Sequence, residues 1–229
     1  MDFSLYIKKL EEKFTDKYGM VLPQPIENGD NSGNGLFYTA MDIVFRDISI
    51  VMDQREDYQE LVRNCYKEKG CLMRNPDNTF GQEQWDNYLG VAVACLILGE
   101  RKIPREILWY AITHGFRMDT DGKLESKDFL IRFPQIWVIL FIAAFPLLKY
   151  LVYPIASVIP FFFTPKKEDT SGNNLQFMYN YALCCAYDVI WPLSKWLKKF
   201  PNGFKYQDSV NIYFGKDHPF IDIVKYFSF

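Results

Sequence analysis

Residues 136 to 163 read IWVILFIAAFPLLKYLVYPIASVIPFFF, a run longer than the roughly 20 residues that cross a bilayer and carrying a single charge, Lys149. Its reading decides whether the chain is a globular helical domain or a membrane protein. Pro146, Pro154 and Pro160 cut it into pieces too short to span, and each proline deletes a backbone hydrogen bond that lipid cannot replace. A charge at Lys149, near the middle, would cost about 2.5 to 3.5 kcal/mol to insert. The segment is therefore expected to be a buried core piece broken at its prolines and packed against the helices at 36–52 and 84–98. Membrane contact through 136–163 is the alternative.

Working outward, the next stretch, TPKKEDTSGNN at 164–174, is an exposed loop. Residues 175–190 then form another apolar helix rich in tyrosine, and 204–229 is an irregular aromatic tail that must dock on the body or on another chain, because Tyr226, Phe227 and Phe229 are costly to leave in water. Upstream, 105–117 (REILWYAITHGFR) places Ile107, Leu108, Ala111 and Ile112 on one stripe after a helix-starting Pro104. Residues 84–98 (QWDNYLGVAVACLIL) are helical with small residues on one face, which permits close helix approach. The run at 36–52 is too long for a strand and suits a buried helix. A further helix covers 54–69 and stops at Gly70, and Phe3, Ile7, Leu10 and Phe14 mark a short amphipathic one. Loops fall at 23–35 and 70–82, with no period-two alternation up to Leu130. The expected fold is all-α: a single domain, 1–229, of packed helix pairs, with a layout similar to α/α toroids. Trp85, Trp109 and Trp137 are expected in its core.

Composition fits this. Of 229 residues, 49% are apolar and 24% charged, which excludes disorder, and the net charge of −2 gives no basic field for nucleic acid. Aromatics are the outlier at 17%, a load that suits thick cores and permanent interfaces. Five cysteines, Cys65, Cys71, Cys95, Cys184 and Cys185, read as reduced thiols without zinc-ligand spacing. The first fourteen residues carry Asp2, Lys8, Lys9, Glu11, Glu12 and Lys13 instead of a secretory h-region, so synthesis and residence in a cytoplasm are expected.

Two constellations carry candidate chemistry. Polar residues stand at the starts of apolar helices: Asn34, Tyr38 and Asp42, then Trp85, Asp86 and Asn87, then His114 and Arg117. A glycoside hydrolase or polysaccharide lyase of α/α-toroid type would need an acid and a base on one site, and Asp42, Asp86 and His114 are the catalytic candidates. Against this, Asp86 suits a helix cap, Asp42 and Arg46 are spaced to pair along a helix, and a lone His114 suits a core. Secondly, 116–130 (FRMDTDGKLESKDFL) resembles an EF-hand loop, with Asp119, Asp121 and Asp128 as calcium ligands. Arg117 occupies the first ligand position, so no bound ion is expected there, and an Asp-Gly turn is the preferred reading. The pair Asp217-His218 lacks any nucleophile motif, and no glycine-rich phosphate loop exists, so no cofactor is expected.

The stretches NGLFYTA (34–40), WDNYLGVAVA (85–94), WYAITHGFR (109–117) and YFGKDHPF (213–220) together resemble uncharacterised helical proteins of phages and of bacteria carrying phage genes. The resemblance covers about a seventh of the chain and brings no activity with it. It implies a phage or virion-associated context. With paired catalytic carboxylates missing, the expected function is a non-catalytic structural or interaction protein. Its partners would be other protein subunits or a homo-oligomer, with membrane contact less favoured.

Overall fold

Helix α4, Trp85–Ile97, has small residues at Gly90, Ala92 and Ala94 and is buried on every side from Asp86 to Cys95. A helix without a polar face must be surrounded, and four others surround it: α2 (Gly35–Ile48), α5 (Lys102–Thr113), α6 (Pro134–Ala144) and α8 (Thr170–Tyr187). The computed structural model describes residues 3–26, 34–48, 55, 57–76, 85–116, 118, 134–162, 170–187 and 218–222. The all-α reading holds, and helix α1, Phe3–Lys13, sits where its stripe predicts.

Helices α2 and α4 approach closely in the core. A Cβ on Gly90 would lie 2.9 Å from the Phe37 Cα and 3.2 Å from the Ala40 Cβ, so the small-residue face does what the sequence suggests. The two helices run parallel, with Asn34 and Asp86 bonded at one end.

Several elements differ from expectation. The helix expected over 54–69 is only α3, Tyr58–Asn64; the chain then turns back as a two-stranded antiparallel hairpin, β1 (Tyr66–Glu68) and β2 (Cys71–Leu72). Tertiary partners override local preference here: the Tyr66 hydroxyl donates to Glu106, and the Leu72 amide donates to the Tyr88 hydroxyl on α4. Gly70 closes the turn at φ +92°, where a Cβ would meet the Glu106 carbonyl oxygen at 2.2 Å. Residues 164–169 lie outside the described residues, and the rest of the loop expected over 164–174 is helix, because α8 begins at Thr170. Its start, TSGNN, has poor helix formers, and the buried Leu175, Phe177, Met178 and Tyr179 downstream hold the helix in place.

The segment 136–163 divides unevenly. The only break among its prolines is at Pro146, where α6 ends at Ala144 and a 3₁₀ turn, Pro146–Leu148, leads into α7, Lys149–Phe162. Pro154 lies within α7. The carbonyl that loses its amide partner there belongs to Tyr150, and both residues are exposed, so solvent serves in place of the lost bond. Helix α6 is core, as expected, but packs on α4, α5 and α8. Residues 149–155 of α7 are not core, and that overturns the expectation that the whole segment is buried.

Residues 218–222 return to the body. Phe220 packs at 4.9 Å from Phe45, and His218 meets the Phe14 ring edge-on at 4.5 Å, so this part of the tail docks on α1 and α2. Cys65, Cys71, Cys95 and Cys185 are in no disulfide.

Candidate functional site

Helix α7 meets the body along one narrow stripe. Lys149, Val152 and Ala156, spaced three and four apart, face inward, and the Tyr179 hydroxyl donates to the Ala156 carbonyl at 3.0 Å. The Lys149 ammonium donates to the carbonyl of Ala186 in the last turn of α8, a site that favours a cation, while the Tyr187 hydroxyl donates to the Lys149 carbonyl at 2.6 Å. The one charge of the segment is thereby turned inward. Leu147, Leu148, Tyr150, Leu151, Tyr153 and Ile155 cover the outside, with Leu147 91% and Leu151 72% exposed. A surface helix normally reverses this arrangement, apolar inward and polar outward.

A second exposed apolar stripe lies on α5, whose first turn reaches the bend. Arg105 donates to the Ala144 carbonyl at 3.0 Å and lies over the Phe145 ring at 5.4 Å, which ties the start of α5 to the bend. Trp109 and Ile112 follow Arg105 by one and two turns on the same side, and Trp109 is 68% exposed. The expected core Trp109 is thus a surface residue, while Trp137 is half-buried against Phe116 at 5.2 Å; the side chain of Trp85 lies outside the described residues.

The catalytic candidates do not assemble. Asp42 is fully buried two turns inside α2, where Arg46 donates to it at 2.9 Å and Tyr6 at 2.8 Å, and Arg55 stands 3.8 Å away. Burial raises its carboxyl from the ordinary range against the pull of both guanidinium groups. Arg55 also binds Asp57 and donates to the Gly19 carbonyl at 2.6 Å, so the network clamps α1, the turn after it, α2 and the approach to α3. The i to i+4 pairing of Asp42 with Arg46 was legible in the sequence; Tyr6 and Arg55, far off in the chain, were not.

Asp86 lies in the first turn of α4, where its carboxylate accepts from the Asn34 amide at 2.8 Å; the neighbouring Asn87 side chain accepts from the Phe37 amide at 3.1 Å. Two of the polar helix starts do therefore meet. One oxygen on each of Asn34 and Asp86 is buried without a hydrogen-bond partner, and burial lifts the Asp86 carboxyl to about 6. His114 is elsewhere: it stacks on Tyr110 at 4.0 Å at the exposed end of α5, with its Nδ1 by Thr113 and the Tyr110 carbonyl. No contact joins any two of Asp42, Asp86 and His114. Asp119, Asp121 and Asp128, the calcium-loop candidates, lie outside the described residues.

His218 has a clear environment. Its Nε2 faces the Leu22 carbonyl at 2.9 Å and its Nδ1 accepts from the Phe220 amide at 3.2 Å, which assigns one neutral tautomer. Burial pushes its pKa down to about 3, so it is a core residue. Comparison of the chain with protein-family models, with curated proteins and with solved structures returns no match.

Proposed function

We propose that the chain is a non-catalytic interaction protein that works through the outer face of α7 and the exposed apolar stripe on α5. The observation that carries this reading is the inverted α7, whose single charge is turned inward while Tyr150 and Leu151, with Leu147 in the turn before it, are exposed. Contiguous exposed apolar surface of this kind marks binding faces, and Trp, Tyr and Arg are the residues enriched there. Membership of a virion or comparable assembly is supported by the resemblance to phage-associated chains alone.

A glycan-active enzyme retains one specific support: Asp86, beside Asn34, has a carboxyl near 6 and an unpartnered oxygen. Neither other candidate stands beside it: Asp42 is consumed by its arginines and His114 stacks on Tyr110.

The interaction reading is tested with a hydrophobic fluorescent probe on the native chain and on a variant carrying Leu147→Glu, Leu151→Glu and Trp109→Glu. The wild type should bind the probe strongly and self-associate or precipitate as concentration rises. The variant should lose probe binding, stay dispersed and keep its helical circular dichroism. Equal probe binding and equal solubility in the two would contradict the reading.

A further inference from the structure

Resting on that interaction reading, we infer that the occupant of the α7 face is the surface of an anionic lipid bilayer, with α7 lying in the plane of the interface. Three observations select lipid. First, over 149–156 the exposed face is apolar around most of the helical circumference and the attachment stripe is narrow, so the face asks for a solvent more than for a matching groove. Among the described residues no single helix is long and apolar enough to cross a membrane. The two limbs Pro134–Ala144 and Pro146–Ala156 pass that test only together, bent by 117°. The first limb is buried in the domain, which leaves α7 alone to meet lipid. Its 14 residues span about 21 Å, short of the roughly 30 Å hydrocarbon core, so it fits an in-plane helix and not a span.

Second, the exposed charge around this face is mostly basic, the exception being the half-buried Glu100, whose carboxylate accepts from the Lys102 and Ile103 amides. No Asp or Glu occurs between Asp128 and Glu168 in the sequence. The first turn of α5, tied to the bend through Arg105 and Phe145, exposes Arg101, Lys102 and Arg105. Each basic residue held near an anionic leaflet strengthens attachment by about fivefold. Third, Tyr150 and Tyr153 pack about Tyr187 with part of each ring exposed, an amphipathic placement suited to the headgroup level, while Leu147 projects at the corner of the bend.

The test is flotation of the full chain, made by cell-free synthesis in the presence of vesicles and centrifuged under a sucrose gradient. Vesicles of phosphatidylcholine with about a third phosphatidylserine should carry the chain to the top. Pure phosphatidylcholine, or the anionic vesicles in high salt, should carry about tenfold less. Leu147→Glu with Leu151→Glu should abolish flotation while the protein stays in the soluble layer with its helical content intact. Arg101→Gln with Lys102→Gln should reduce flotation on anionic vesicles only. If the wild type sinks or stays in the soluble layer with every vesicle, the lipid inference is overturned. Should it then form dimers that the two glutamates disperse, the interaction reading survives with a second copy as occupant. A wild type that neither floats nor associates overturns both.

Discussion

His218 and Asp86 are buried ionisable groups whose effects on stability run in opposite directions. Below pH 6.5 the unfolded chain takes a proton that native His218 refuses until about pH 3. Stability therefore falls by about 1.4 kcal/mol per pH unit from that group as the medium is acidified. Asp86 behaves the other way: its native carboxyl protonates near 6 against 3.8 for an ordinary Asp, so its contribution rises as pH drops through that window. We expect the ring resonances of His218 to stay fixed from pH 7 to pH 5, with His114→Gln supplying the assignment, since these are the two histidines of the chain. A midpoint near 6.5 would show the ring to be solvated. Asp86→Asn should leave the protein at least as stable at pH 7 and, by removing the contribution that opposes His218, steepen the loss of stability between pH 6 and 4, as chemical denaturation at each pH would show. Asp42 is a different kind of buried acid. Asp42→Asn leaves Arg46, itself 3% exposed, without its counter-charge, and should cost about 3 to 5 kcal/mol. A loss under 1 kcal/mol would mean that the clamp is dispensable.

At the scale of elements, glycine permits two close approaches to a neighbouring backbone. Gly90→Ala would press a methyl group onto the Phe37 backbone, and Gly70→Ala would add positive-φ strain to a clash with Glu106. Thermal melts should place both below the wild type by about 1 to 3 kcal/mol, with Gly70→Ala the worse. The helices over 3–13, 85–97 and 134–144 were readable because their apolar periodicity or continuous burial leaves one solution. The hairpin after α3 was not, since Tyr66, Lys67 and Glu68 carry no strand signature and take their conformation from Glu106 and Tyr88. The prolines misled in the other direction: Pro154 and Pro160 both lie inside α7, the first freeing the carbonyl of the exposed Tyr150 and the second that of Ala156, which accepts from the Tyr179 hydroxyl, and both are tertiary facts. Of the candidate site, the pairing of polar helix starts was legible for Asn34 and Asp86. The exclusion of Asp42 and His114 was not, because it depends on where Tyr6, Arg55 and Tyr110 come to rest.

For the whole molecule, hydropathy gave the right alarm for 136–163 and could not divide it. The two halves have much the same composition, yet α6 fills the space beside α4 and α7 lies outside it. What separates them is the bend at Pro146 and the pull of the Ala186 carbonyl on Lys149, neither visible in a window average. The most direct measurement of the central claim is hydroxyl-radical footprinting of the dispersed chain, read residue by residue by mass spectrometry. Trp109, Leu147, Tyr150 and Leu151 should be oxidised rapidly, while the fully buried Tyr38, Tyr58 and Tyr88 are spared. Protection of the α7 residues to the same degree as those core tyrosines would place α7 inside the domain and contradict the account.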